Sequence, residues 1–254
     1  MSVWRIGRAP PRGQSPDQVV RTMCTRNGCL QYVDYRDVKG IADGADITTW
    51  PARIGADPTQ PTPALRPTRG AGGRFVEFGG DLNGNALPTP AVDLSGTDDL
   101  TFVIVAYTRN LTSGRIVWEN GNPYYTKNGA ICLFNEGRIS IGTGTSSAGA
   151  IAYRTAAISI REVNVIGGSF DRSTSDDLLD LHDQDGEILD FAQQGDADGV
   201  GSYAANASYM GGRNNGAVAP LDGGIAVGIW LPVNLPHREL QALVEAVGQI
   251  VGVR

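Results

Sequence analysis

The eleven residues Asp99–Arg109, DLTFVIVAYTR, constrain this chain most. They form a near-continuous apolar run of strand length, rich in β-branched and aromatic residues, as a central strand covered on both faces requires. Similar signals precede and follow it: CLQYVDYRDV (29–38), RFVEFGG (74–80), GRIVWEN (114–120), GAICLFNEGRISIGTG (129–144) and ISIREVNVIGGSFD (158–171). Asn135–Arg138 reads as a hairpin turn. Asp185-Gly186, inside DDLLDLHDQDGEILDFAQ, is the strongest short-range hairpin signal in the chain. No stretch of helical period interrupts this series, which predicts antiparallel sheets rather than an alternating β/α fold.

The convincing helix comes at the end, LPHRELQALVEAVGQIVG, where Leu240, Leu243, Val244, Val247 and Ile250 share one face. Pro236 sits where a first-turn proline is tolerated and Asn234 is a candidate cap. Five prolines between Lys39 and Gly73 (Pro51, Pro58, Pro61, Pro63, Pro67) predict a long draped loop without regular structure.

Composition agrees: 34 glycines, 14 prolines and 7% aromatic residues in 254 indicate many turns and few long helices. Charge divides the chain. Residues 1–28 hold Arg5, Arg8, Arg12, Arg21 and Arg26 against the single acid Asp17, so this stretch carries +4 and the remainder −10 of the net −6. The expected organisation is a basic arm at 1–28, unstructured when free and serving as an anchor, and one β-domain at 29–254. The arm has neither the charge density nor the fold of a nucleic-acid binder. No apolar run reaches membrane-spanning length, and the N-terminus lacks the apolar core of an export signal. A protein made and kept in a cytoplasm, or released by lysis, is expected. Cys24, Cys29 and Cys132 are then expected as reduced thiols. Cys24 and Cys29 are half of a zinc set with no second pair to complete it.

Motifs of chemistry are incomplete. DQDGE (183–187) and GDADG (195–199) lack the end carboxylates of a calcium loop, and GTGTSSAGA (142–150) lacks the lysine of a phosphate cradle. Glu187 and Asp190 stand three apart, on opposite faces of a strand, and do not form the carboxylate pair of a glycosidase. No catalytic residue is assigned. WENGNPYYTKNG (118–129) offers Trp118, Tyr124 and Tyr125 as aromatic platforms, with Asn122 and its neighbouring asparagines for hydroxyl bonding.

The order of Trp50, Arg66-Pro67, FVEFGG, LTFVIVAYT, DQDGEIL, YMGGRNNG, LDGGIAVGIWLP and HRELQALV resembles the laminin G-like branch of the concanavalin A-like jelly roll. The resemblance covers residues 30–254. It implies an antiparallel β-sandwich with one C-terminal helix and an extended N-terminal arm. Asp222-Gly223 would start a strand whose Ile225, Val227 and Ile229 alternate into the core, with Trp230 closing against the helix. Calcium, bound by loop carboxylates in this family, would fall to Asp171, Asp176 or Asp177. The leading expectation is a non-enzymatic virion protein of a phage, a decoration, head-fibre or tail-associated component. The arm would bind capsid or tail proteins, and the chain would assemble as a homo-oligomer. The alternative is a carbohydrate-binding adhesin module recognising host polysaccharide through the aromatic loop, and the third reading is a glycan-cleaving enzyme.

Overall fold

The computed structural model describes residues 13–79, 84–111, 113–121, 128–144, 151–159, 161–173, 179–182, 192–194, 201–213 and 216–253; at 151–156, 179–182 and 192–194 it describes the backbone alone. In chain order the elements are α1 (Pro16–Arg26), β1 (Gln31–Asp34), β2 (Ala52–Ile54), β3 (Thr68–Arg69), β4 (Val76–Gly79), β5 (Leu87–Pro88), β6 (Asp99–Thr108) and β7 (Arg115–Asn120). They continue with β8 (Ala130–Asn135), β9 (Arg138–Gly144), β10 (Ile151–Ala157), β11 (Asn164–Asp171), β12 (Leu179–His182), β13 (Ala192–Gln194), β14 (Ser208–Met210), β15 (Asp222–Leu231) and α2 (His237–Val251).

Among the described residues these strands form two antiparallel sheets. The first runs β12-β11-β6-β15-β1-β2, with β4 also on β15 and β3 on β4; the second runs β13-β10-β9-β8-β7-β14-β5. Phe102, Ile104, Phe170 and Trp230 of the first sheet meet Trp118, Cys132, Phe134 and Ile141 of the second in one buried core. The opposite face of the first sheet, with Val103, Val105, Val227 and Ile229, packs under α1 and α2. The expected β-sandwich is therefore present, and its terminal helix lies across the outer face of the first sheet.

The hairpin read at Asn135–Arg138 joins β8 to β9. Glu136 and Gly137 both have positive φ, +49° and +76°, the backbone that a two-residue turn between twisted strands needs. The hairpin expected at Asp185-Gly186 lies outside the described residues. Before it, β12 pairs β11 in the first sheet; after it, β13 pairs β10 in the second.

Two irregularities change which side chains face inward. Between Ile225 and Val227 the β15–β6 register slips by one residue. Ile225 and Trp230, five apart, consequently share the inter-sheet face, and Val227 and Ile229 turn to the helices. The expected parity beyond Ile225 is thus reversed, and Trp230 packs on Trp118 rather than on α2. A second slip between Ile116 and Trp118 sends Val117 and Trp118 both inward.

Within residues 13–28 the unstructured arm is corrected too. Ser15 caps α1 in a capping box with Gln18, Pro16 stands in the first turn, and Val19, Val20, Met23 and Cys24 are buried against α2 and the sheet. Arg26 is ion-paired to Glu239 of α2. Arg5, Arg8 and Arg12 lie outside the described residues. The proline-rich segment also contains short strands, β2 and β3, so its prolines punctuate pairing without abolishing it. At α2, Pro236 itself is the N-cap and gives no side-chain bond. Asn234 instead accepts from the Ser169 hydroxyl.

Candidate functional site

The second sheet carries a row of side chains on the face turned away from the core. Trp118, Ser208, Met210 and Leu87 point inward, so their neighbours Glu119, Tyr209 and Pro88 point outward. Register places Tyr209 between Pro88 and Glu119, with Ile131 beyond Glu119. Glu119 is almost wholly buried, and Arg213 Nε donates to its Oε2 at 2.8 Å.

Beside Tyr209 opens a cleft of about 310 Å³ between Pro88–Asp93 and Ala205–Tyr209. Its backbone is fixed by Thr89 N–H donating to Ser208 O (2.8 Å) and Val92 N–H donating to Thr89 O (3.1 Å). Asp93 is exposed, and its carboxylate accepts from Ser95 N–H at 2.9 Å; that bond holds its pKa below the ordinary carboxylate value. Thr89 is fully buried at the wall, and its hydroxyl finds no hydrogen-bond partner.

Of the sequence-predicted platforms, Trp118 is corrected. It is fully buried, donates from Nε1 to Ser208 Oγ at 2.8 Å, and packs on Phe102 and Trp230. An exposed stacking role is closed to it. Asn122, Tyr124 and Tyr125 lie outside the described residues. The residues flanking them both bond to the chain that forms this cleft: Gly121 N–H donates to Ala207 O (3.1 Å), and Ala204 N–H donates to Asn128 O (3.2 Å). Sequence reasoning missed Tyr209 and Asn206, because YMGGRNNG reads as a turn and its tyrosine as part of it. The signal that finds Tyr209 is parity, since Ser208 and Met210 flank it inside.

A larger cleft, about 580 Å³, lies between α1 and strands β1 and β2, lined by Asp17, Arg21, Thr25, Tyr32, Arg53 and Ile54. At its base the fully buried Asp34 pairs with Arg36 (2.5 Å) and Arg53 (3.2 Å); Arg36 also reaches Asp17 (2.7 Å), and Arg53 reaches Asp37 (2.6 Å). Tyr32 OH donates to Asp34 Oδ2 at 3.1 Å, and the Arg53 guanidinium lies 5.4 Å from the Tyr32 ring centre. Hydrogen bonding from Arg36 lowers the pKa of Asp17, whereas burial and then Asp34 raise that of Tyr32. Of the predicted arm residues, Arg21 is thus an exposed cleft residue and Arg26 a helix-pairing one.

Of the predicted calcium ligands, Asp171 accepts from Ser173 N–H (2.8 Å) and Ser173 Oγ (2.6 Å) in its own turn. Asp176 and Asp177 lie outside the described residues.

No family model matches this chain, and no curated protein matches it. Solved structures do. A Trypanosoma rangeli sialidase in complex with sialic acid is 10% identical with a TM-score of 0.55, over 88% of this chain and 33% of that one. A NanB sialidase from Streptococcus pneumoniae is 9% identical with a TM-score of 0.50, over 66% and 27%. The CBM40 of a Ruminococcus gnavus IT-sialidase, bound to sialyllactose, is 15% identical with a TM-score of 0.47, over 58% and 83%. The chain therefore spans about a third of the length of the first of these sialidases, and the likeness establishes the β-sandwich fold. The expectation of a virion decoration or tail protein is corrected on this finding: the matching structures named here come from sialidases and none is a particle component.

Proposed function

We propose that this chain is a non-catalytic glycan-binding module whose sugar site is the Tyr209 cleft. The observation that carries the reading is the pairing of Tyr209 with Pro88 on the outward face of the second sheet, beside polar Asn206 and Asp93. A pyranose has an apolar face that stacks on an aromatic ring and hydroxyls at its edges that need fixed acceptors, and this cleft supplies both. Its volume lies at the lower end of the range for small-molecule sites. Asp93, held ionised by Ser95, is suited to accept hydroxyl bonds rather than to donate a proton. Glu119 is already committed to Arg213. The sialidase fold neighbours, one in complex with sialic acid, support glycans as the ligand class.

Arg21 favours a second reading, an acidic sugar held in the charged cleft. Its side chain is exposed there, and Arg36 and Arg53 are already saturated by carboxylates. Calorimetric titration with a panel of neutral and sialylated oligosaccharides separates the two. Tyr209→Ala should weaken binding at least tenfold, about 1.4 kcal/mol, with Arg21→Ala unchanged. The opposite pattern moves the site to the charged cleft, and no binding of any panel member by the unmodified protein defeats the glycan reading.

A further inference from the structure

Helix α1 ends with Asn27 as its C-cap, and Gly28 follows at φ +65°. Cys29 N–H then donates back to Cys24 O at 3.0 Å. This is the six-residue hydrogen bond of a Schellman-type turn, which brings together the side chains three residues before the cap and two residues after it. An apolar contact frequently fills those two places in such turns. Here both are cysteines.

Cys29 Sγ donates to Gln31 O at 3.2 Å. The surroundings of the two thiols differ. Cys24 is buried beneath α1, whereas Cys29 is partly accessible. Hydrogen bonding from the Cys24 thiol lowers the pKa of Cys29, and the same contact, with burial, raises that of Cys24. Cys132, the third thiol, is sealed in the inter-sheet core.

We propose that Cys24 and Cys29 form a reversible oxidation site, closing an intramolecular disulfide that clamps the end of α1 to the start of β1. The oxidant is a low-molecular-weight disulfide of the glutathione type. The Cys29 thiolate attacks one sulfur of that disulfide and breaks its S–S bond, releasing one half as a thiolate and keeping the other as a mixed disulfide. Cys24 gives its proton to the departing thiolate, attacks Cys29 Sγ and expels the second half. Two cysteine thiols are oxidised, and one small disulfide is reduced to two thiols. The clamp fixes the helix that supplies Asp17, Arg21 and Thr25 to the charged cleft.

The test uses the full chain, folded and purified reduced, incubated with oxidised glutathione, then alkylated and mapped by peptide mass spectrometry. A peptide linked through Cys24 and Cys29, lost again on reduction, is expected in the unmodified protein and in Cys132→Ser. Cys24→Ser should stop at a glutathione adduct on Cys29, and Cys29→Ser should acquire neither. If both thiols of the native protein stay open to alkylation after denaturation, the proposal is overturned. A glutathione adduct that persists on Cys29 of the unmodified protein, without the linked peptide, overturns the intramolecular step. The unmodified protein decides the matter by itself, so poor folding of either variant does not blunt the test.

Discussion

Trp118 and Trp230 come from opposite sheets and meet with ring centres 5.7 Å apart at 45°, both fully buried. Each reaches this position through a one-residue slip in its own strand, so the contact joins the two irregularities of the sandwich. Removing the Trp118 ring leaves a cavity facing Trp230 and Phe102 and an orphaned Ser208 hydroxyl. Trp118→Ala should cost about 3–5 kcal/mol, read as a lower urea midpoint at unchanged slope. A loss below about 1 kcal/mol would mean that this ring does not bridge the sheets.

Gly211 stands at φ +83°, and a β-carbon placed there would run into the Phe78 ring. Strained backbone and overpacking therefore add. Gly211→Ala should destabilise by about 2 kcal/mol or more, visible in thermal melting. Gly137→Ala meets nothing within 4 Å and has only the backbone strain to bear. Equal effects at the two sites would refute the packing argument.

Ser15→Ala removes the hydroxyl that accepts from Gln18 N–H and breaks the capping box of α1. A cost of about 1 kcal/mol is expected, with faster amide exchange at residues 19–26 than in β6. Exchange as fast in the unmodified protein as in the variant would show that α1 is not part of the folded core.

Asp17 gives the stability a pH dependence of definite sign. Its folded pKa is lowered below the ordinary carboxylate value, chiefly by hydrogen bonding from Arg36. Its contribution is therefore complete above the unfolded pKa of about 3.9 and is lost as pH falls through the lower folded value. The Asp17 side chain is 48% exposed, so the effect is modest and screened by salt. Asp17→Asn should flatten the fall in melting temperature below about pH 4 and change little at pH 7. An unchanged acid limb would remove Asp17 from the account.

Much of the fold is legible because its strands announce themselves. β6 is apolar along nearly all its length, and Glu136-Gly137 sits between two alternating runs. α1 is harder to see, although Ser15-Pro16-Asp17-Gln18 is a capping-box start and Val19, Val20, Met23 and Cys24 keep helical spacing. The arginines among them give the segment the look of a charged tail. Trp118 and Trp230 are misplaced for a different reason: a slip of one residue reverses the inward face, and local sequence does not mark where a strand slips. The Tyr209 cleft depends on β5 and β14, which are 121 residues apart at Leu87 and Ser208 and pair only through the completed sheet.

The two helices cover one side of the sandwich, and Tyr209 stands on the other. The polypeptide enters α1 and leaves α2 on the clad side. A surface coupling or a fused partner attached beyond α2 would therefore project the Tyr209 cleft outward, while an immobilisation chemistry directed at the second sheet would cover that cleft. The sandwich has a front and a back, and its helices mark the back.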